Sequence, residues 1–556
     1  MGEVMTGQRI VLHEHQAAAT ERLRAWQQAG FAQRLWTRDP TLWSPTPVPE
    51  VSDRLGWLAL PETMHRHLHA LAAFAQGVRQ EGVRHAMLLG MGGSSLAPEA
   101  FQRTFGNSAG HPALIVLDST HPDAVRALAS RIDLDRTLFL VSSKSGTTTE
   151  TLSLFQYFWH RMEHLPARPD RFVAITDSDT PLARLARERG FRHTFEAPAD
   201  VGGRYSALTF FGLVPAALIG VDVRRLLDRA GRMAEASAFR VPCEDNPALA
   251  LGAALGELAL AGRDKVVFLA SPSLQALPSW IEQLIAESTG KDGKGIVPVV
   301  DEPAAGPDKY GEDCFFVSLR LASDRAPDLD ARVDALEAAG HPVARLWLAE
   351  AEDVGQEFFR WEVAVAAAGA VLGIHPFNQP DVQLAKELAQ QAMQRGHGSS
   401  DQRGPEGIHP VLAAKPQDLA RAIRDWMGGV RLGDYLAVQA FLAPTDQCSA
   451  ALKEIRRALR NRLRAATTSG YGPRFLHSTG QLHKGGPNSG LFLQLVDDPV
   501  EDLAVPETDY TFGALIRAQA LGDLEALRAR GRRVLRVSLG RDVADGLARV
   551  AEALGG

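Results

Sequence analysis

The strongest constraint on the fold is a recurring pattern: an apolar run of strand length, then a turn, then a stretch of helical periodicity. In the first part of the chain these runs are 85–90, 113–117, 137–142 and 171–176. In the second they are 265–270, 313–320 and 342–348, followed by a helix over 357–372 and a loop over 373–380. From about Asp418 the pattern returns, with strands at 435–441, near Phe475, at 491–496 and at 533–538, and a helix reaching about Arg464. Strands that alternate with helices pair in parallel through crossovers, which builds doubly wound sheets with helices on both faces. The expected division is a helical, loop-rich segment over 1–70, a first α/β domain over 71–240, a second over 241–415 and a further α/β segment over 416–556. The stretch 394–416 is rich in Gly, Ser, Gln and Pro and reads as an exposed linker or loop.

Composition narrows the function classes. The 60 Lys+Arg against 66 Asp+Glu give a net charge of −6, which offers no electrostatic reason to expect a nucleic-acid partner. The basic helix 453–464 has Lys453, Arg457, Arg460 and Arg464 on one face and Leu452, Ile455, Leu459 and Leu463 on the other, an amphipathic helix with a solvated basic face. Cys243, Cys314 and Cys448 are far apart and form no CxxC, which argues against a disulfide framework or a cysteine zinc site. The N-terminal residues carry no secretory h-region. The longest uncharged apolar stretch, 206–221, is shorter than a membrane span and reads as a buried core helix. A cytoplasmic protein is the expectation.

Two turns after strands have the chemistry of a phosphate site. Gly90-Met-Gly-Gly-Ser-Ser95 lets backbone approach a ligand at a helix start; it is an incomplete dinucleotide fingerprint, with Ser95 at the third glycine position and Asp118 after the next strand. Ser142-Ser-Lys-Ser-Gly-Thr-Thr-Thr-Glu-Thr151 brings seven hydroxyls and one cation to a strand–helix junction. Thr147-Thr-Thr-Glu150 fits a capping box, which would account for one hydroxyl and for Glu150. It leaves the crowd of small donors unexplained, and these suit a phosphate monoester.

Two further segments suit proton transfer. Val201-Gly-Gly-Arg-Tyr-Ser206 sets Arg204 ahead of the apolar stretch, either to anchor a helix start or to face a developing anion. Glu287-Ser-Thr-Gly-Lys291 ends an apolar helix, where a carboxylate is either an ordinary surface Glu or a partly desolvated base.

Together these four segments resemble the glucose-6-phosphate isomerase family, whose two sugar-isomerase (SIS) domains carry a GIGGS-type turn, an SK(S/T)xTTxET loop, a VGGR(Y/F)S segment and an ESxGK segment in this order. Phe377-Asn-Gln-Pro-Asp-Val-Gln-Leu-Ala-Lys386 is similar to the family's FxQxxVxxxK segment. The resemblance is closest to the isomerase part of bifunctional transaldolase/phosphoglucose isomerase proteins, which also carry a long C-terminal part with a GPRFLHSTGQLHKGGP stretch, here 472–487.

The resemblance implies two doubly wound parallel-sheet SIS domains with an additional C-terminal α/β segment. It implies a hexose phosphate substrate, isomerisation through a cis-enediolate, a homodimer, and no cofactor or metal. Ser143, Ser145 and Thr148 would hold the phosphate, with Lys144 and Thr147 in the same loop, and Gly93 and Ser94 would line the sugar. Arg204 would stabilise the enediolate and Gln283 would bind substrate. Glu287 would move the proton between C1 and C2, while Gln379 and Lys386 would lie at the ring-opening end.

The family places a histidine a few tens of residues after the catalytic Glu, but there is none between Glu287 and His341. His477-Ser-Thr-Gly-Gln481 reproduces the family's HxxxQ pattern later in the chain, so His477 is the candidate, with His483 and His375 as rivals. Such a role requires His477 within about 10 Å of Glu287, a span one hexose bridges. Other readings are a non-catalytic sugar-phosphate regulator, which could dispense with Glu287 and Arg204, and a nicotinamide dehydrogenase, which would not call for the hydroxyl-rich loop. His65, His67 and His69 are a poor metal set, because helical spacing puts only the first and last on one face.

Overall fold

The computed structural model describes residues 7–46, 48–395 and 410–555, with the side chains of 383–386 and 394–395 outside that description. Most of the expected linker over 394–416 therefore lies outside the described residues, as does the side chain of Lys386.

Three five-stranded sheets organise the chain. An N-terminal strand β1 (Gln8–Val11) precedes the first unit, whose strands are β2 (His85–Gly90), β3 (Ala113–Leu117), β4 (Thr137–Ser142), β5 (Phe172–Asp177) and β6 (His193–Ala197). They lie in the order β3-β2-β4-β5-β6, all parallel. The second sheet uses β7 (Lys265–Ala270), β8 (Val297–Val299), β9 (Cys314–Leu321) and β10 (Val343–Leu348) in the order β1-β10-β9-β7-β8, with only β1 antiparallel. The third joins β11 (Val411–Leu412), β12 (Tyr435–Phe441), β13 (Ala466–Tyr471), β14 (Gly490–Val496) and β15 (Arg533–Ser538) as β11-β15-β14-β12-β13, all parallel.

The core strands are apolar on both faces; Leu138, Phe139, Leu140 and Val141 of β4 are all fully buried. That is the signature of a parallel strand covered by helices on each side. Two sequence expectations are corrected here. Phe475 lies in a short 3-10 turn, and the strand before it is β13, whose Thr467-Thr-Ser-Gly470 run is too polar to read as buried strand. The basic helix Asp446–Leu463 keeps Lys453 and Arg457 exposed, but Arg460 is buried and donates to Glu302 Oε1 at 2.5 Å, joined by Arg456 at 3.2 Å. Its basic face is therefore partly an ion-pair seam between the second and third units. The apolar stretch forms the helix Phe210–Leu218, buried at every residue, and among the described residues no helix is long and apolar enough to cross a membrane.

Aromatic contacts fix the first unit against the second. Phe358 meets Phe101 of the first unit at 5.2 Å and Trp280, on the helix Leu277–Thr289, edge-on at 4.6 Å. Trp57 stacks obliquely on Tyr205 at 5.3 Å and lies 6.0 Å from Phe359. Each such pair adds about 0.5–1.5 kcal/mol beyond its buried area. The elements beside Arg204 and Glu287 are thus held by rigid rings.

Candidate active site

In the first sheet the chain runs from β2 outward to β3 and returns across to β4, so β2 and β4 flank the point where strand order reverses. Ligands of doubly wound sheets bind at the carboxyl ends of such strands. The two glycine- and hydroxyl-rich loops leave from those ends, with Gly90 of β2 in register with Ser142 of β4. Gly92 adopts a left-handed φ of +53°, and a Cβ there would meet the carbonyl of His477 and the amide of Gln283. A Cβ on Gly93 would run into the carbonyl of Gly203. Ser94, which is buried, accepts a bond from Ser142 Oγ through its carbonyl at 3.4 Å. The glycines are needed because three other segments close on this turn.

The hydroxyl loop is folded on itself. Ser143 Oγ and Thr148 Oγ1 are 2.9 Å apart, as are Ser145 Oγ and Thr147 Oγ1, with Ser145 and Thr147 exposed. Gly146, at φ +67°, lets the loop pack against Thr180 and Leu182. The expected capping box is absent. Thr148 is the N-cap of the helix Thr149–Arg161 and makes no side-chain cap, while Glu150 turns towards the third unit. Lys144 is half-buried and ion-paired with Asp177 at the end of β5, so its ammonium ties the loop to the neighbouring strand.

Gln283 and Glu287 stand one turn apart on the helix Leu277–Thr289, both buried. Arg204, also buried, uses all five of its N–H donors: Nε to Ser288 Oγ at 2.8 Å, Nη1 to Gln379 Oε1 at 2.7 Å and Glu287 Oε2 at 3.4 Å, and Nη2 to the carbonyls of Pro376 at 2.5 Å and Asn378 at 3.0 Å. It therefore does more than anchor a helix start. Burial pushes the Glu287 carboxyl above its ordinary value, and Arg204, His477 and Gln283 pull it back. Lys291 is buried beside Arg204 and held well below the ordinary lysine range; it donates to the carbonyls of His375 and Asn378.

His477 reaches this site from the turn after β13. Its carbonyl accepts from Gln283 Nε2 at 2.9 Å, and its Nε2 lies 2.8 Å from Glu150 Oε1. Gln283 thus bridges His477 and the helical turn that carries Glu287. Of the rivals, His483 is buried beside Gln439 at 3.3 Å, while His375, whose carbonyl accepts from Lys291, has its Nε2 3.1 Å from the carbonyl of Pro49, with burial driving its pKa down to about 4. Gln481, four residues on, accepts from the Asp381 amide at 2.9 Å and donates to the Gly290 carbonyl at 2.9 Å, which joins the 377–386 segment to the end of the Glu287 helix. Arg474 bonds Glu99 and lies 3.1 Å from Asp118, pinning the His477 turn to the first unit. His65, from the poor metal set, pairs with Asp228 at 2.9 Å. Sequence reading missed Glu150 as the partner of His477, because the only local signal was the capping pattern.

The comparisons with known proteins agree with this geometry. The family model described as Phosphoglucose isomerase matches residues 60–314. A glucose-6-phosphate isomerase of Rubrobacter xylanophilus is 30% identical over 396 residues, spanning 62% of this chain and 90% of that protein. One of Parabacteroides distasonis is 30% identical over 387 residues, 60% of this chain and 86% of that protein. Among solved structures, a hypothetical protein from Thermus thermophilus superposes with a TM-score of 0.59 at 26% identity, covering 69% of this chain and 99% of its own. A glucose-6-phosphate isomerase of Chlamydia trachomatis shares the fold, with a TM-score of 0.54 at 20% identity over 70% of this chain and 87% of its own. The chain belongs to the glucose-6-phosphate isomerase family.

Proposed function

We propose that Glu287 and His477 divide the interconversion of glucose 6-phosphate and fructose 6-phosphate between them, Glu287 enolising the open chain and His477 opening the ring. The observation that carries this reading is the burial of Glu287 between Arg204 and the His477 turn. A base is most effective when its pKa lies near the working pH, and burial moves Glu287 in that direction. Glu287 takes the proton from C2 of the aldose and returns it to C1, and the negative charge that builds on O1 and O2 needs a donor. All five donors of Arg204 are occupied, and its longest bond, 3.4 Å from Nη1 to Glu287, is the one an enediolate oxygen displaces at least cost.

His477 holds Glu150 through Nε2, which leaves Nδ1 for the sugar. A carboxylate at Nε2 orients the imidazole, and Nδ1 moves one proton between the ring oxygen and the anomeric hydroxyl. Ser143, Ser145, Thr147 and Thr148 hold the phosphate, with Lys144 bracing the loop through Asp177. Binding this remote group orients the reacting carbons. Gly93 and Ser94 line the sugar, Gln283 and Gln379 complete its surroundings, and Lys386 is assigned to the ring-opening end by the family resemblance alone. A homodimer and a cytoplasmic location belong to the same proposal and rest on the family resemblance; light scattering tests the first.

The test is a coupled assay of fructose 6-phosphate conversion. Glu287→Gln lowers turnover about 10²–10⁴-fold while sugar-phosphate binding persists. Turnover within a few-fold of the unaltered protein removes Glu287 from this role.

A further inference from the structure

We propose that Gln519 is a positioning residue for ring opening, which rests on the reading of His477 given above. Gln519 lies on the helix Phe512–Ala529 of the third unit. Its Nε2 donates to Glu150 Oε1 at 2.7 Å, the same oxygen that faces His477 Nε2 at 2.8 Å. Its Oε1 accepts from Thr120 Oγ1 at 3.0 Å. The carboxylate only accepts, so the amide must present N–H to Glu150, and its carbonyl then faces Thr120, whose hydroxyl donates to it. Thr120 is fully buried, and Gln519 and Glu150 nearly so.

The surroundings give no other reason for a glutamine. Leu515, Ile516, Ala518 and Ala520 on the same helix are all buried, and an apolar residue would suit the position by packing alone. A buried amide is unfavourable there unless both its ends are bonded. Its neutrality also matters. A lysine or arginine would neutralise Glu150, whereas an amide fixes the carboxylate and leaves its charge for His477. Thr120 belongs to the loop after β3 that also carries Asp118, the partner of Arg474. The His477 turn is therefore registered on the first unit twice, by Arg474 through backbone and by Gln519 through Glu150.

A residue that orients His477 affects substrates that must open and spares those already open. Fructose 6-phosphate is mostly cyclic. A 5-deoxy analogue lacks the hydroxyl that closes the furanose and remains open. Gln519→Leu lowers kcat on fructose 6-phosphate about ten- to hundredfold, the worth of one hydrogen bond to a charged group, with little change in KM. On the 5-deoxy analogue it stays within about twofold. Thr120→Val, which leaves the amide carbonyl without its donor, shows the same selectivity with a smaller loss, and Thr120→Ser restores activity. His477→Ala is the control. If it is selective for the cyclic substrate and the Gln519 and Thr120 variants are not, Gln519 is only structural and this inference is overturned. If His477→Ala slows both substrates alike, the ring-opening reading falls and the role of Gln519 falls with it.

Discussion

Replacing Arg204 with lysine tests the central packing of the site. The guanidinium serves five acceptors from two segments: Ser288 Oγ and Glu287 Oε2 in one, and Gln379 Oε1 and the carbonyls of Pro376 and Asn378 in the other. A lysine keeps the charge but offers three N–H groups on one nitrogen, so at least two of these acceptors lose their donor. A buried acceptor left unsatisfied costs about 1–3 kcal/mol, so the assembled site is weakened by about 2–6 kcal/mol. That corresponds to a fall of about thirtyfold to about 25,000-fold in the population of the assembled arrangement. Arg204→Lys is accordingly expected to lower kcat/KM by at least thirtyfold in the fructose 6-phosphate assay. Amide exchange over the 376–379 segment should speed up, because that segment hangs on Nη2. An Arg204→Lys protein with kcat/KM within threefold of the original and unchanged exchange there would refute the reasoning, since charge alone would then suffice.

Two other perturbations follow from single distances or directions. Gly93→Ala points a methyl at the backbone of Gly203, which has no soft end to yield, whereas a Cβ on Gly203 meets open space; the first substitution should cut turnover at least tenfold and Gly203→Ala should not, and equal tolerance would show that the two turns are not tightly apposed. Glu282 is pushed up to about 8 by burial, against the pull of Arg474. Below its ordinary value of 4.5 both folded and unfolded chains are protonated; between 4.5 and about 8 the unfolded chain releases the proton first, so folding loses stability as pH rises through that window. Glu282→Gln should therefore melt progressively higher than the original protein from pH 4.5 to 8, and a difference that does not vary with pH would contradict the shift.

The sheet strands were legible where burial is two-sided. β2, β4, β7 and β12 stand at the expected residues because their runs are apolar, buried and bounded by turns, and the only partly buried β3 and β15 stand there too. β6 was not legible, since Phe195 is the one large apolar side chain in His193-Thr-Phe-Glu-Ala197, and β8 has only three residues. β1 escaped notice because its partner, β10, lies far along the chain. At the site, the glycine turn, the hydroxyl loop, Arg204 and Glu287 were legible as motifs because each is local. The pairings of Lys144 with Asp177 and of His477 with Glu150 were not, since an ion pair between distant segments leaves no mark on either one.

The pairing of β1 with β10 spans more than 330 residues. During synthesis at about 5–20 residues per second, the first strand therefore waits on the order of tens of seconds before its partner exists. Through that time it has no ladder to join, while the first parallel sheet, whose five strands end at Ala197, can close behind it. When β10 emerges, the antiparallel strand is already tethered nearby and can cover the open edge of the second sheet. An open edge is a template for pairing with other chains. β1 thus covers the β10 edge only once most of the first two units has been made, and it then stands as the outermost strand of that sheet itself.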